Sequence, residues 1–165
     1  MKGRLLVIAS LVLLVFISAA FGMTMLRTGT DGAGPDRSGI ITVDVTAMNV
    51  GGVVTKTDPI AALQGVRLPV YIVREGMTRY VAMLGRSPHL GCRLGWVGDP
   101  GYPRFSGAKS DAFEDPCGGA IFSIVGTCLG GPCSRGMDRF AITVSNGNAR
   151  VDLNRLIASP PRMIP

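Results

Sequence analysis

The feature that most constrains the fold is a glycine- and proline-rich stretch, residues 86–136, that contains every cysteine of the chain. Roughly fifty residues without regular hydrophobic periodicity are far more than an ordinary connection inside a compact domain contains. Such a stretch is either functional or held by covalent links. The four cysteines are an even number, and in an oxidising compartment they predict two disulfides rather than a metal site. Three pairings are compatible with this count alone.

Short runs with β patterning flank the cysteine-rich stretch on both sides. These runs are ITVDVT (41–46), PVYIV (69–73), RYVAML (79–84), FAITV (140–144) and ARVDL (149–153). Asn146-Gly147 between the last two predicts a tight hairpin. Asp58 and Pro59 predict the start of one helical turn, which Gly65 ends. With 23 glycines and 11 prolines, the composition favours an all-β domain rich in turns.

The first 26 residues have a different character, since no charged residue interrupts positions 5–26. A run of this length is enough for a helix to span a bilayer. Lys2 and Arg4 precede it, which predicts a single-pass anchor with a cytoplasmic N-terminus. The alternative is a signal peptide cleaved after Ala20. Either way the domain is expected on the extracytoplasmic side of the cell membrane, in the periplasm or outside the cell.

Beyond the anchor the chain is expected to contain three further parts. Residues 27–39 lack apolar periodicity and predict a flexible tether. Residues 40–157 have room for one ordinary domain, and residues 158–165 predict an extended tail because prolines prevent a helix or a central strand.

Charge and residue types exclude several functions. The formal net charge is +6, but no basic cluster with interleaved aromatic residues is present, so we expect no binding to nucleic acid. One histidine, 11 carboxylates and no lone reactive cysteine leave no convincing catalytic set. The chain is therefore not expected to be catalytic by itself.

Three motifs of the cysteine-rich stretch resemble those of Rieske 2Fe-2S proteins. SPHLGC (87–92) and DPCGGAIFSIVG (115–126) are similar to the two cluster-binding loops, and GGPCSR (130–135) is similar to the proline-containing loop of that family. The resemblance covers residues 40–157 and, with the anchor and tether, is to the membrane-anchored respiratory type. It implies a Rieske-like antiparallel β-sandwich domain with two loops tied by a disulfide.

The resemblance also locates the four cluster ligands, which in the family are one cysteine and one histidine from each loop. The matching positions are Ser87, His89, Asp115 and Gly118, so only one of the four ligands, His89, is retained. A hydroxyl, a carboxylate and a hydrogen are poor substitutes for two thiolates and an imidazole. We expect no 2Fe-2S cluster, and no metal site from the weak set of His89 and Asp115 with Ser87. His89 is then a loop residue or a contact to a partner.

The disulfide between the two loops is the part of the family pattern that is retained. The resemblance implies a bridge from Cys92 to Cys117. For Cys128 and Cys133 the preferred prediction is a second disulfide across the proline-containing loop, and the alternative is a pair of free thiols or metal ligands. The first bridge closes a loop of about 25 residues and should contribute on the order of 3 kcal/mol.

Three functions remain as expectations. The first is a cluster-less accessory or structural subunit of a membrane electron-transfer complex, with the other subunits and the membrane as partners. The second is a Rieske-type electron-transfer subunit of a quinol-cytochrome c oxidoreductase with an altered 2Fe-2S cluster held by His89, Asp115 and outside donors. The third is a free extracytoplasmic binding module released by signal cleavage.

Overall fold

The computed structural model describes residues 38–58, 67–105, 107 and 111–162. The predicted membrane anchor, residues 1–26, and the helical turn predicted to begin at Pro59 lie outside these residues. In the part of the chain that is described, no helix is long and apolar enough to cross a membrane. These residues form ten strands joined by turns and loops, which confirms the predicted all-β, antiparallel class.

The ten strands form two antiparallel sheets. The larger sheet contains β1 (Ile40–Asp44), β2 (Val53–Thr57), β3 (Pro69–Arg74), β4 (Tyr80–Leu84), β9 (Arg139–Ser145) and β10 (Asn148–Ile157), in the spatial order β1-β10-β9-β4-β3-β2. The smaller sheet contains β5 (Gly95–Trp96), β6 (Ala112–Glu114), β7 (Ile121–Ser123) and β8 (Cys128–Gly130), in sequence order. The whole smaller sheet is an insertion between β4 and β9, within the cysteine-rich stretch.

Strands β3 and β4 form a hairpin that lies between two apolar cores. Side chains on one face belong to the core shared with the smaller sheet, and those on the other face pack against β1, β9 and β10. The first face carries Tyr71, Val73, Val81 and Met83, and the second carries Val70, Ile72, Ala82 and Leu84. This two-sided burial explains why PVYIV is an unbroken apolar run, whereas a strand with one solvent face alternates.

The large sheet bends where β4 meets β9. These two strands pair at only two positions, Ala82 with Phe140 and Met83 with Arg139. Beyond them the strands diverge, so that β1, β9 and β10 fold over one face of the β3-β4 hairpin and enclose the second core. The opposite face of the hairpin is thereby left for the smaller sheet, which carries the loops.

The hairpin predicted at Asn146-Gly147 joins β9 and β10. Both residues have positive φ, 50° and 74°, as a two-residue turn of the primed type requires. A Cβ on Gly147 would lie 2.2 Å from Thr46 Cγ2, so the turn also packs closely on the end of β1. In β1 itself Val43 is buried while Thr42 and Asp44 are exposed, as the alternating pattern predicts.

Candidate functional site

The first loop, Ser87–Cys92, follows β4 and closes on itself through backbone hydrogen bonds. Ser87 N donates to Cys92 O at 2.7 Å, and Gly91 N donates to Ser87 O at 3.0 Å. Gly91 has a φ of 75°, a conformation that residues with a side chain rarely adopt. The loop therefore turns tightly, with Ser87 buried at its base and His89 exposed.

The second loop, Asp115–Ala120, connects β6 with β7 and is organised by one carboxylate. Asp115 Oδ1 accepts hydrogen bonds from Cys117 N at 2.9 Å and from Gly118 N at 3.2 Å. The backbone closes the same turn, because Asp115 N donates to Ala120 O at 2.9 Å. An aspartate that accepts from amides two and three residues ahead is a common turn-forming arrangement. Asp115 is 1% exposed, so its position is fixed by burial as well.

A disulfide between Cys92 and Cys117 joins the two loops, with their Cα atoms 6.3 Å apart. A second disulfide joins Cys128 to Cys133 across the third loop. The first pairing is the one that the resemblance implied, and the second is the one that the sequence analysis preferred. The third loop also touches the second, since a Cβ on Gly131 would lie only 2.5 Å from Gly119 O. The three loops therefore form one packed unit.

At the two positions where the resemblance places cysteine ligands, the structure places a buried hydrogen-bonded pair. Ser87 Oγ donates to Asp115 Oδ2 at 2.6 Å, and Ser87 is only 2% exposed. Both oxygens of the Asp115 carboxylate are thus engaged, one by a hydroxyl and one by backbone amides. Removing one partner of a buried hydrogen bond leaves the other unsatisfied, which is costly. The pair links the two loops beside the disulfide.

At the two positions where the resemblance places histidines, His89 and Gly118 lie against each other. A Cβ built on Gly118 would be 2.8 Å from His89 Nδ1 and 3.3 Å from Asp115 Oδ2. The imidazole therefore occupies the space that a larger side chain at position 118 would need. Sequence reasoning placed these four residues on two neighbouring loops, and the structure brings all four together.

The donor atoms of this site do not fit a 2Fe-2S cluster. A cluster of the Rieske type takes two thiolates on one iron and two imidazoles on the other. The ligand atoms of Cys92, Asp115 and Cys117 lie within 4.8 Å of one another, but both sulfurs are joined in the disulfide. The remaining donors are one imidazole, one carboxylate and one hydroxyl, a set better suited to harder metals than to an iron-sulfur cluster.

Two tyrosines beside the loops have altered acidity. Tyr71 O–H donates to Leu94 O at 2.8 Å, and its burial raises the pKa of the phenol to about 12, because the charged form would lose its hydration. Burial also raises the pKa of Tyr102, and the charges of Glu114 and Asp115 add to that shift. The ring of Tyr102 covers Gly95, where a Cβ would lie 1.8 Å from Tyr102 Cε2.

Sequence reasoning missed Glu114, which is buried next to Asp115 and whose Oε2 accepts a hydrogen bond from Phe105 N at 3.0 Å. It also gave no role to Arg139 or Arg162, two arginines that line a cavity beside the third loop. Glu114 directly precedes the DPCGG loop. A carboxylate in a short run next to that loop was the one sequence feature that could have indicated a role at the site. The two arginines are 23 residues apart, and no local pattern connects them.

Comparison with solved structures finds a Rieske protein and a respiratory complex. The crystal structure of the plasma membrane Rieske protein PetC3 from the cyanobacterium Synechocystis PCC 6803 matches with 27% identity and a TM-score of 0.40, covering 59% of this chain and 97% of that one. A structure of a hyperthermophilic respiratory Complex III matches with 18% identity and a TM-score of 0.47, covering 86% and 96%. No protein-family model and no curated protein sequence matches the chain.

The chain is similar to Rieske proteins. The three loop motifs that resemble the family lie together in the structure, and a disulfide joins the first two loops. The structure holds a serine-aspartate pair at the two positions where the sequence resemblance places cysteine ligands.

Proposed function

We propose that the chain is a cluster-less Rieske-fold accessory subunit of a membrane electron-transfer complex, held on the extracytoplasmic face by its N-terminal segment. The observation that carries the proposal is the direct hydrogen bond between Ser87 and Asp115 at the two cysteine positions. The Ser87 hydroxyl donates its hydrogen bond to the Asp115 carboxylate, so the two side chains bind each other at the positions where the family has two iron ligands. The membrane context rests on the resemblance and on the uncharged run at residues 5–26.

A role in assembly agrees with the surface of the loops. Leu90 in the first loop is 61% exposed and Leu129 beside the third loop is 57% exposed. A large apolar side chain presented on a loop that is fixed by disulfides is a suitable contact for another protein. His89 is exposed next to Leu90 and offers a polar contact at the same surface. In this proposal the loops bind a neighbouring subunit and carry no electrons.

The test is purification of the protein from its native, iron-replete membranes in mild detergent. We expect other subunits to co-elute, and less than about 0.1 iron and 0.1 acid-labile sulfide per chain, with no Rieske-type signal at low g in EPR. About two irons and two sulfides per chain, with a signal that is lost in His89→Ala, would instead establish the electron-transfer alternative. A free, N-terminally shortened protein without co-eluting subunits would establish the secreted binding module.

A ligand-restored variant separates the chemistry of the donors from the shape of the loops. Ser87→Cys, Asp115→Cys and Gly118→His together restore two thiolates and a second imidazole. Because Gly118 lies against His89, the ring of His89 has to rotate away. We expect this variant to gain iron and sulfide in a host that assembles Rieske proteins, and Ser87→Cys with Asp115→Cys alone to gain less. If the variant takes up no iron, replacement of the donors does not explain the lack of a cluster.

A further inference from the structure

A second candidate site lies away from the Ser87-Asp115 pair, under the C-terminal segment. Residues Ile157–Arg162 lie beside the start of β8 and the start of β9 and border a cavity of about 520 Å³. This volume lies in the range of pockets that bind small molecules. The lining comes from the turn Gly126–Cys128, from Gly136 and Arg139, and from the C-terminal segment itself.

The walls of this cavity are held in place by hydrogen bonds. Ser159 Oγ donates to Met137 O, and Ser159 N donates to Asp138 Oδ1 at 3.3 Å. Farther along the segment, Arg162 N donates to Ser134 O at 2.7 Å. The segment is therefore fastened at both ends of the cavity, and the cavity exists without a ligand having to form it.

The charge of the lining is positive only. Arg139 and Arg162 both line the cavity, and no aspartate or glutamate is among the lining residues. Neither arginine forms an ion pair with a residue that the structure describes. The nearby carboxylate of Asp138 is not available to them, because Arg135 forms a two-pronged ion pair with it. The cavity thus has two guanidinium groups and no acidic partner within the described chain.

The guanidinium of Arg139 also has a buried donor that is unused. Its Nη2 donates to Val125 O at 2.9 Å, which fixes the group, but Nε is buried and has no hydrogen-bond partner in the described structure. A buried donor without a partner is costly, and an anionic acceptor is the group that satisfies a guanidinium best. The rest of the lining is largely apolar, through Ile157, Pro160 and Pro161.

We propose that this cavity binds a small amphipathic carboxylate, with the anionic head on Arg139 and Arg162 and an apolar body against the two prolines. Arg139 supplies the fixed donor, because its guanidinium is already held by Val125 O. Arg162 adds the second positive charge from the C-terminal segment. An anion without an apolar part makes no contact with the two prolines, and a neutral amide lacks the charge that attracts the two arginines. Both should therefore bind more weakly.

The experiment uses the full chain in detergent micelles, with benzoate as the probe and benzamide and sulfate as matched comparisons. Binding is followed by backbone amide shifts in ¹⁵N NMR spectra. We expect saturable shifts of Gly126, Thr127 and Gly136 with benzoate, and at least tenfold weaker binding of benzamide. Arg139→Gln should weaken benzoate binding about tenfold or more, the loss expected when a hydrogen bond to a charged group is removed.

Two further variants keep the test decisive. Arg162→Gln changes an exposed residue of the C-terminal segment and keeps its backbone hydrogen bond to Ser134 O, and it should weaken benzoate binding several-fold. Arg155→Gln removes an exposed arginine of β10 that does not line this cavity and should leave the affinity unchanged. No saturable shift with benzoate, or equal binding to wild type and Arg162→Gln, overturns the proposal. Equal affinity for sulfate and benzoate overturns the amphipathic class of ligand.

Discussion

Strand β3 and the first loop are separated in the chain only by a turn and strand β4, yet different interactions fix their positions. In β3, residues Pro69 to Val73 are all buried, and their apolar side chains pack into two cores. In the loop, a disulfide and a hydrogen bond from Ser87 to Asp115 connect it with the second loop. The sheet is thus stabilised by burial of apolar surface, and the loops are stabilised by a disulfide and a few hydrogen bonds. Single changes should therefore have more localised effects in the loops than in the sheet.

The largest expected effect comes from removing the disulfide between the loops. The double variant Cys92→Ser, Cys117→Ser removes a bridge between residues that are 25 positions apart in the sequence. The chain-entropy model predicts that this lowers the free energy of unfolding by about 3.5 kcal/mol. Cys128→Ser with Cys133→Ser is the matched control. Its separation is only 5, so the same model predicts about 2 kcal/mol. Urea unfolding of the full chain in detergent measures both.

Hydrogen exchange shows where the effect of the disulfide lies. In the Cys92→Ser, Cys117→Ser variant, the amides of Gly91 and Gly119 should lose protection, since both form hydrogen bonds within the tied loops. The amides of Ile72 and Ala82 in the large sheet should exchange only through global unfolding. Equal losses from the two double variants, or a loss of protection spread evenly over loops and sheet, would contradict the comparison.

The next effect in size tests the serine-aspartate pair. Ser87→Ala removes one donor and leaves Asp115 Oδ2 buried without a side-chain partner, which should cost about 2 kcal/mol in the free energy of unfolding. Ser145→Ala, at an exposed position of β9, is the control and should change stability by less than about 0.5 kcal/mol. An unaltered urea midpoint in Ser87→Ala would show that the pair does not stabilise the loops.

The same contrast explains what the sequence predicts and what it leaves open. β3, β4, β9 and β10 were predictable, because apolar runs and the Asn146-Gly147 turn are local signals. Strands β6, β7 and β8 have three residues each, too few to show a period, and their pairing depends on the loops around them. The four ligand positions followed from the resemblance, but the hydrogen bond from Ser87 to Asp115 joins residues 28 apart and needed the fold.

The smallest effect concerns Tyr71, which connects the two regions. It is part of β3, yet its O–H donates to Leu94 O, just after the first loop. Burial raises its pKa to about 12 from an ordinary value of 10.0, so the folded state holds the phenolic proton more tightly than the unfolded state does. The stability that this provides is complete below about pH 10 and is lost as the pH rises toward 12, with a slope of at most about 1.4 kcal/mol per unit.

Urea unfolding at pH 9, 10 and 11 measures that slope. In Tyr71→Phe the slope should become shallower, although Tyr102, whose pKa is also raised, continues to contribute in the same direction. Tyr71→Phe should also lower stability at pH 7 by about 1 kcal/mol, because Leu94 O loses its donor. Equal slopes in wild type and Tyr71→Phe would mean that the phenol is hydrated. The contact between β3 and the first loop would then be looser than the interior of either core.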